Sequence, residues 1–117
     1  QVACQQSRGA ADSEICSKLS ERVVCVSDVH GNFSALQALW AALEQHLGGA
    51  VELRRTTVIF LGDYCDRGPD TRQVLDWLIS LQEERAHVSC APAHFLLGNH
   101  DLGFAAFLGC LPVDGAP

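Results

Sequence analysis

The sequence predicts one α/β domain ordered βαβαβ, in which a parallel sheet is flanked by helices. Three short apolar runs that each end in a polar turn predict strands, and two amphipathic segments between them predict helices. Because right-handed crossovers bring the carboxyl ends of parallel strands to one edge, the polar residues after the three runs are expected to meet there.

Composition limits what the chain can be. Its 117 residues are 48% hydrophobic, enough for one modest globular domain. A net charge of −6 argues against a nucleic-acid partner, and no apolar run approaches the length that spans a membrane. A cytoplasmic or nuclear location is expected, although the chain begins at Gln1 and an upstream targeting segment stays open.

The first part of the chain is predicted to contain one strand and one helix. Residues 1–20 are polar and predict a loosely ordered arm, and residues 21–117 form the domain. The run from Arg22 to Val26 predicts a buried strand, after which Gly31 and Asn32 lead into a helix. The apolar face of this helix is Leu36, Leu39, Trp40, Leu43 and Leu47, and the helix ends at Gly48 and Gly49.

The second part repeats this pattern. Ala50–Arg55 predicts a loop, and Thr57–Leu61 predicts the second strand. Asp70 is a plausible cap for a second helix that has Glu83–Arg85 as its solvated end. The apolar face of that helix is Val74, Leu75, Leu78 and Leu81, with Trp77 beside it. Ala93–Leu97 predicts the third strand, and Leu102–Leu108 predicts a short helix.

The polar residues after each predicted strand have the chemistry of metal ligands. Asp28 and His30 follow the first strand, and together they offer the mixed oxygen and nitrogen ligation that suits Mn, Fe or Zn. Asp63 follows the second strand and can bridge two metals, whereas Asn99 after the third strand offers a neutral oxygen. Any one of these pairs alone is more often an ordinary loop, but their joint order predicts a single site.

Three motifs in this order resemble those of the calcineurin-like metallophosphoesterases. They are D-x-H from Asp28, G-D-x-x-D-R-G from Gly62 and G-N-H-D from Gly98. The resemblance spans about Arg22 to Leu111. Within the superfamily, the motifs most closely resemble those of the phosphoprotein phosphatase branch. Within that branch, FLGDYCDRGP, LDWLISL and LLGNHD look like the Rhizobiales-like protein phosphatases of plants. The resemblance implies the N-terminal half of the metallophosphoesterase sandwich.

The resemblance also implies roles for the site residues. Two divalent ions, each Mn, Fe or Zn, would activate a water for attack on phosphorus. The first ion would take Asp28, His30 and Asp63 as ligands, and the second would take Asp63 and Asn99. His100 would protonate the leaving oxygen, Asp66 would orient that imidazole, and Arg67 would bind the phosphoryl oxygens.

The implied substrate is a phosphoprotein, with phosphotyrosine preferred if the plant resemblance holds. A bis(5'-nucleosyl)-tetraphosphatase-like hydrolase and a non-catalytic interaction domain of the same fold are the alternatives. The resemblance implies that a second half of the domain supplies two more histidines and a further Arg. His87 and His94 cannot replace those histidines, because they are expected on the wrong side of the sheet. The 117-residue chain alone is therefore expected to be weakly active or inactive.

Cysteine catalysis is the main rival mechanism. Cys16 and Arg22 have the C-x5-R spacing of Cys-dependent phosphatases, but the residues between them are bulky and lead into a strand. Cys65 lies beside the metal motif, one residue too far from Arg72 for that spacing. The six cysteines show no CxxC pair, so free thiols are favoured over a disulfide framework.

Overall fold

The computed structural model describes the backbone of residues 2–6 and all of residues 22–111. The elements are β1 (Val2–Gln6), β2 (Arg22–Val26), α1 (Phe33–Leu47), α2 (Ala50–Arg55), β3 (Thr57–Phe60), α3 (Thr71–Arg85), β4 (Ala93–Phe95) and α4 (Asn99–Phe107). The predicted α/β class and the βαβαβ order of the central elements are confirmed.

The sheet has the strand order β1-β2-β3-β4. β2, β3 and β4 run parallel, with Val24 paired to Val58 and Val58 paired to Ala93. β1 runs antiparallel along the free edge of β2 and lies within the segment predicted to be a loose arm. The rest of that arm falls outside the described residues.

One face of the sheet forms the core. Val24 and Val26 of β2, and Val58 and Phe60 of β3, are at most 1% exposed, whereas the residues between them are half-buried. The helices complete this core with buried residues at three- and four-residue steps: Leu36, Leu43 and Leu47 from α1, and Val74, Leu78 and Leu81 from α3. Burial on one face follows from the period-two alternation of strand side chains.

An aromatic cluster joins the helices to the strands. Phe60 stacks on Phe95 of β4 with ring centroids 5.2 Å apart, and Trp40 of α1 meets Trp77 of α3 edge-to-face at 5.1 Å. Phe60 also contacts both tryptophans. This packing confirms that the apolar stripe of the first helix is core, and it fixes the end of β3 directly before the polar loop.

The structure corrects four details of the predicted elements. Ala50–Arg55 is a short helix, because Leu53 is buried and Glu52 pairs with Arg22 and Arg55. The strands β3 and β4 end at Phe60 and Phe95, sooner than predicted. The helix α4 begins at Asn99, three residues before the predicted start at Leu102.

The fourth correction concerns Arg85, which was predicted to be part of a solvated helix end. Its side chain is only 6% exposed, and its guanidinium donates hydrogen bonds to four backbone carbonyls. Burial lowers the pKa of Arg85 from its ordinary value. No helix among the described residues combines the length and apolar character needed to cross a bilayer.

Candidate metal centre

Three loops that leave β2, β3 and β4 at the same edge of the sheet build the site. Backbone hydrogen bonds join the first loop to the second. The amide of His30 donates to the carbonyl of Asp63 at 2.9 Å, and that of Gly31 donates to Tyr64 at 2.8 Å. The amide of Asp28 donates to Gly62 at 3.3 Å. The placement of the first two loops is therefore set by main-chain contacts.

Three predicted metal ligands converge between these loops. Each of Asp28, His30 and Asp63 offers one ligand atom, and the three atoms all lie within 4.8 Å of one another. Asp28 is exposed, whereas His30 and Asp63 are half-buried. Two carboxylates and one imidazole form a donor set that fits a divalent transition metal better than Mg²⁺ or Ca²⁺.

Hydrogen bonds hold each predicted ligand in place. The Nδ1 atom of His30 lies 3.0 Å from the carbonyl oxygen of Cys65, so an Nδ1–H donating there would leave Nε2 as the ligand atom. The Ser27 hydroxyl donates to Asp28 at 2.8 Å, and the amide of His100 donates to Oδ1 of Asp63 at 3.1 Å. The ligand side chains are thus partly ordered by their surroundings.

The predicted acid lies beside the ligands. The Nδ1 atom of His100 is 3.0 Å from Oδ2 of Asp66, and the His100 ring meets the His30 ring edge-on with centroids 5.0 Å apart. Asp66 can therefore orient the imidazole of His100, with Nε2 left to face a substrate.

The last two predicted site residues, Asn99 and Arg67, lie next to His100 and Asp66 in the chain. Asn99 is the first residue of α4, directly before His100, and its side chain is exposed. Arg67 follows Asp66 in the second loop and is also exposed. Both lie at the same edge of the sheet as Asp28, His30 and Asp63.

The backbone of the site is strained. Within the described residues, a positive φ at a non-glycine position occurs at Asp28 (57°), His30 (48°), Asp63 (59°), Asp66 (68°) and Arg67 (72°). Every one of them is a predicted site residue. Such conformations cost about 1 to 3 kcal/mol each and concentrate at functional sites, so this coincidence independently marks the same loops.

Two glycines are required where the second and third loops approach. Gly62 has φ 107°, and a Cβ there would overlap the backbone of Gly98. A Cβ on Gly98 would overlap the carboxylate of Asp63. The absence of both side chains lets the two loops come close enough for Asp63 to accept the His100 amide.

The sequence motifs did not predict the roles of two buried residues that support the site. Asp101, whose role was not predicted, is 5% exposed and accepts hydrogen bonds from backbone amides of both the second and the third loop. Tyr64 is also 5% exposed and donates its hydroxyl to the carbonyl of Leu96 at 2.6 Å. A sequence signal existed for Asp101, because it is the last residue of the G-N-H-D motif that begins at Gly98.

Cys65 is a packed thiol. It is 2% exposed, and burial together with the negative charge of Asp101 raises the pKa of its thiol to about 11. A buried thiol that resists ionisation is a poor nucleophile, which argues against cysteine catalysis at this position. The described cysteine side chains, Cys25, Cys65, Cys90 and Cys110, are free thiols.

Comparison with known proteins points to the same chemistry. The family model for calcineurin-like phosphoesterases matches residues 21–115. A zinc-dependent endopolyphosphatase of Saccharomyces cerevisiae is 32% identical over 89 residues, which are 76% of this chain. The chain spans 23% of the length of that relative. The name of the relative describes a polyphosphatase, so the match supports the family without supporting the protein phosphatase branch.

Proposed function

The chain belongs to the calcineurin-like phosphoesterase family, and we propose that it supplies the first half of a metal-dependent centre that hydrolyses phosphate esters. The observation that carries the proposal is the convergence of Asp28, His30 and Asp63, whose ligand atoms lie within 4.8 Å of one another. The pair of His100 and Asp66 adds a proton donor beside them.

Two divalent ions are the cofactors of this proposal. Asp28, His30 and Asp63 would hold the first, and Asp63 with Asn99 would hold the second. When bound, such ions polarise phosphate oxygens and bring the pKa of a water molecule toward neutrality. Mn, Fe and Zn all suit the donor set, and the zinc dependence of the yeast relative makes zinc the first ion to test.

The side chains around the ions have separate tasks. His100 donates a proton to the leaving oxygen from its Nε2, because its Nδ1 faces Asp66. Arg67 binds phosphoryl oxygens through its planar guanidinium, which can reach two oxygens at once. Asp63 fixes the distance between ligands and acid, since its carboxylate accepts the His100 amide.

Two substrate classes have support. A phosphoprotein, with phosphotyrosine preferred, follows from the sequence around the three motifs. Inorganic polyphosphate is the second candidate, because the yeast relative is named for cleaving it. Phosphotyrosine is an ester and polyphosphate is an anhydride, but both place a tetrahedral phosphorus beside a leaving oxygen, so the same residues can act on either. The loops around the site would select between them.

We propose that the remaining ligands of the second ion come from a second half of the domain. The support is chemical: Asp63 and Asn99 offer the second ion one carboxylate and one neutral oxygen, too few for a closed site.

The tests are phosphate release by the full-length protein from phosphotyrosine and phosphoserine peptides, and shortening of polyphosphate chains on a gel, each with zinc or manganese added or chelated. We expect activity on at least one substrate that chelation abolishes. The variant His100→Ala should lose most activity while its metal content stays unchanged, and His94→Ala, an exposed position on β4, should behave as wild type. Activity that survives exhaustive chelation would refute the metal mechanism, and inactivity on all three would favour a non-catalytic domain.

A further inference from the structure

Asp101 is a buried carboxylate without a side-chain cation. It occupies the first turn of α4, is 5% exposed, and forms no ion pair with any described residue. A carboxylate in such a place normally costs free energy unless hydrogen bonds stabilise its charge. Its surroundings therefore need to be rich in donors, and they are.

Four backbone amides surround the two oxygens of Asp101. Oδ2 accepts from Asp63 at 2.6 Å and from Gly98 at 2.9 Å. Oδ1 accepts from Tyr64 at 2.8 Å and from Cys65 at 3.3 Å. Three of these donors are consecutive, so the second loop has to curl around the carboxylate, and the fourth belongs to the third loop.

This arrangement bears on the metal ligands in two ways. Asp63, whose φ of 59° is unfavourable for a side-chain-bearing residue, is held there by its own amide. Cys65, held by the same carboxylate, presents the carbonyl that meets Nδ1 of His30. Asp101 thus reaches one ligand directly through the backbone and a second through one intervening residue.

A reciprocal exchange links the second and third loops. Asp101, from the third, accepts the amide of Asp63, and Asp63, from the second, accepts the amide of His100. Each carboxylate therefore fixes the backbone that carries the other. The ligand Asp63 and the acid His100 are kept in register by this pair of contacts.

We propose that Asp101 is a positioning residue that prearranges Asp63 and His30 for metal binding while touching neither metal nor substrate. The proposal rests on the function proposed above. Its physical basis is that hydrogen-bond partners of metal ligands set ligand orientation, and their loss typically lowers metal affinity by about 10- to 100-fold.

The deciding variant is Asp101→Asn in the full-length protein, which keeps the shape of the side chain but turns an NH₂ group toward two amide donors. We expect the Kd for Mn²⁺, measured by calorimetry without substrate, to rise about tenfold or more. Hydrogen exchange at the amides of Asp63, Tyr64 and Cys65 should accelerate in the metal-free protein. Asp76→Asn, at an exposed position on α3, is the matched control and should match wild type in both measurements.

Asp101→Glu keeps both acceptor oxygens but displaces them by one methylene, so its Kd should lie between those of wild type and Asp101→Asn. If the Asn variant does not fold, the Glu variant carries the test. A folded variant with wild-type Mn²⁺ affinity and unchanged exchange would overturn the positioning role and leave the proposed function standing. A wild-type protein that binds no Mn²⁺ or Zn²⁺ would instead remove the proposed function, and this role with it.

Discussion

At the scale of single residues, the site combines unfavourable positive φ angles with side chains that can bind a metal or a phosphate. Asp and His tolerate positive φ better than most residues, but Arg67 at 72° has no such tolerance. The residue types and their spacing could be predicted from the motifs. Their backbone conformation could not, because it arises from hydrogen bonds to loops that are distant in sequence, such as His30 to Asp63.

Replacement of Arg67 should separate stability from function. Arg67→Gly removes both the guanidinium and the backbone strain, so we expect it to lower phosphate affinity yet raise the free energy of unfolding by up to about 1 kcal/mol. Arg67→Ala removes the guanidinium alone and should lower affinity without any gain in stability. Urea unfolding and inhibition by inorganic phosphate measure the two effects, and equal stability of both variants would contradict the strain argument.

At the scale of elements, Arg85 shows what a local pattern cannot reveal. A charged residue after Glu83 and Glu84 at a helix end has the sequence pattern of a solvated face. Its acceptors lie in other segments: the carbonyls of Leu53 and Thr56 flank the end of α2, and that of Ala91 precedes β4. The guanidinium therefore joins α3 to the starts of β3 and β4, a role that depends on the tertiary fold.

Loss of the Arg85 head group should destabilise the fold strongly. Arg85→Leu removes the side-chain donor to the carbonyls of Thr56 and Ala91, so we expect the free energy of unfolding to fall by about 2 to 4 kcal/mol. Arg72→Leu, whose side chain is 91% exposed, is the control and should change it by less than about 0.5 kcal/mol. Urea denaturation monitored by tryptophan fluorescence would detect this difference, and a similar midpoint for both variants would argue against the structural role.

At the scale of the whole molecule, sequence predicted more of the topology than of the boundaries. The parallel direction of β2, β3 and β4 followed from apolar runs and crossover rules, and the common edge of the polar loops followed from the topology. The strand β1 escaped prediction because its residues pair with β2 residues that lie 16 (Gln6 with Arg22) to 24 (Val2 with Val26) positions further along the chain. The short helix α2 escaped because it depends on the burial of Leu53 and on the ion pair of Glu52 with Arg22, which is distant in sequence.

Metal stoichiometry should depend on how much of the domain is present. We expect the 117-residue chain to bind one zinc or manganese ion tightly at Asp28, His30 and Asp63, and a chain extended through the second half of the domain to bind two. Calorimetry with metal analysis measures both numbers, and phosphatase assays on the two chains should show a large gain for the longer one. Equal stoichiometry and equal activity would refute the proposal of a completing half.

Main-chain contacts position the first two loops, whereas the side chains on those loops determine which metal ion the site prefers. The amides of Asp28 and His30 bond to carbonyl oxygens of the second loop, so these two contacts use no side-chain atom of either residue. Exchange of the imidazole at His30 for a carboxylate would harden the donor set toward magnesium, while the loops themselves stay joined. The metal preference of the site could therefore change by substitution of a ligand side chain, while the backbone of the loops stays the same.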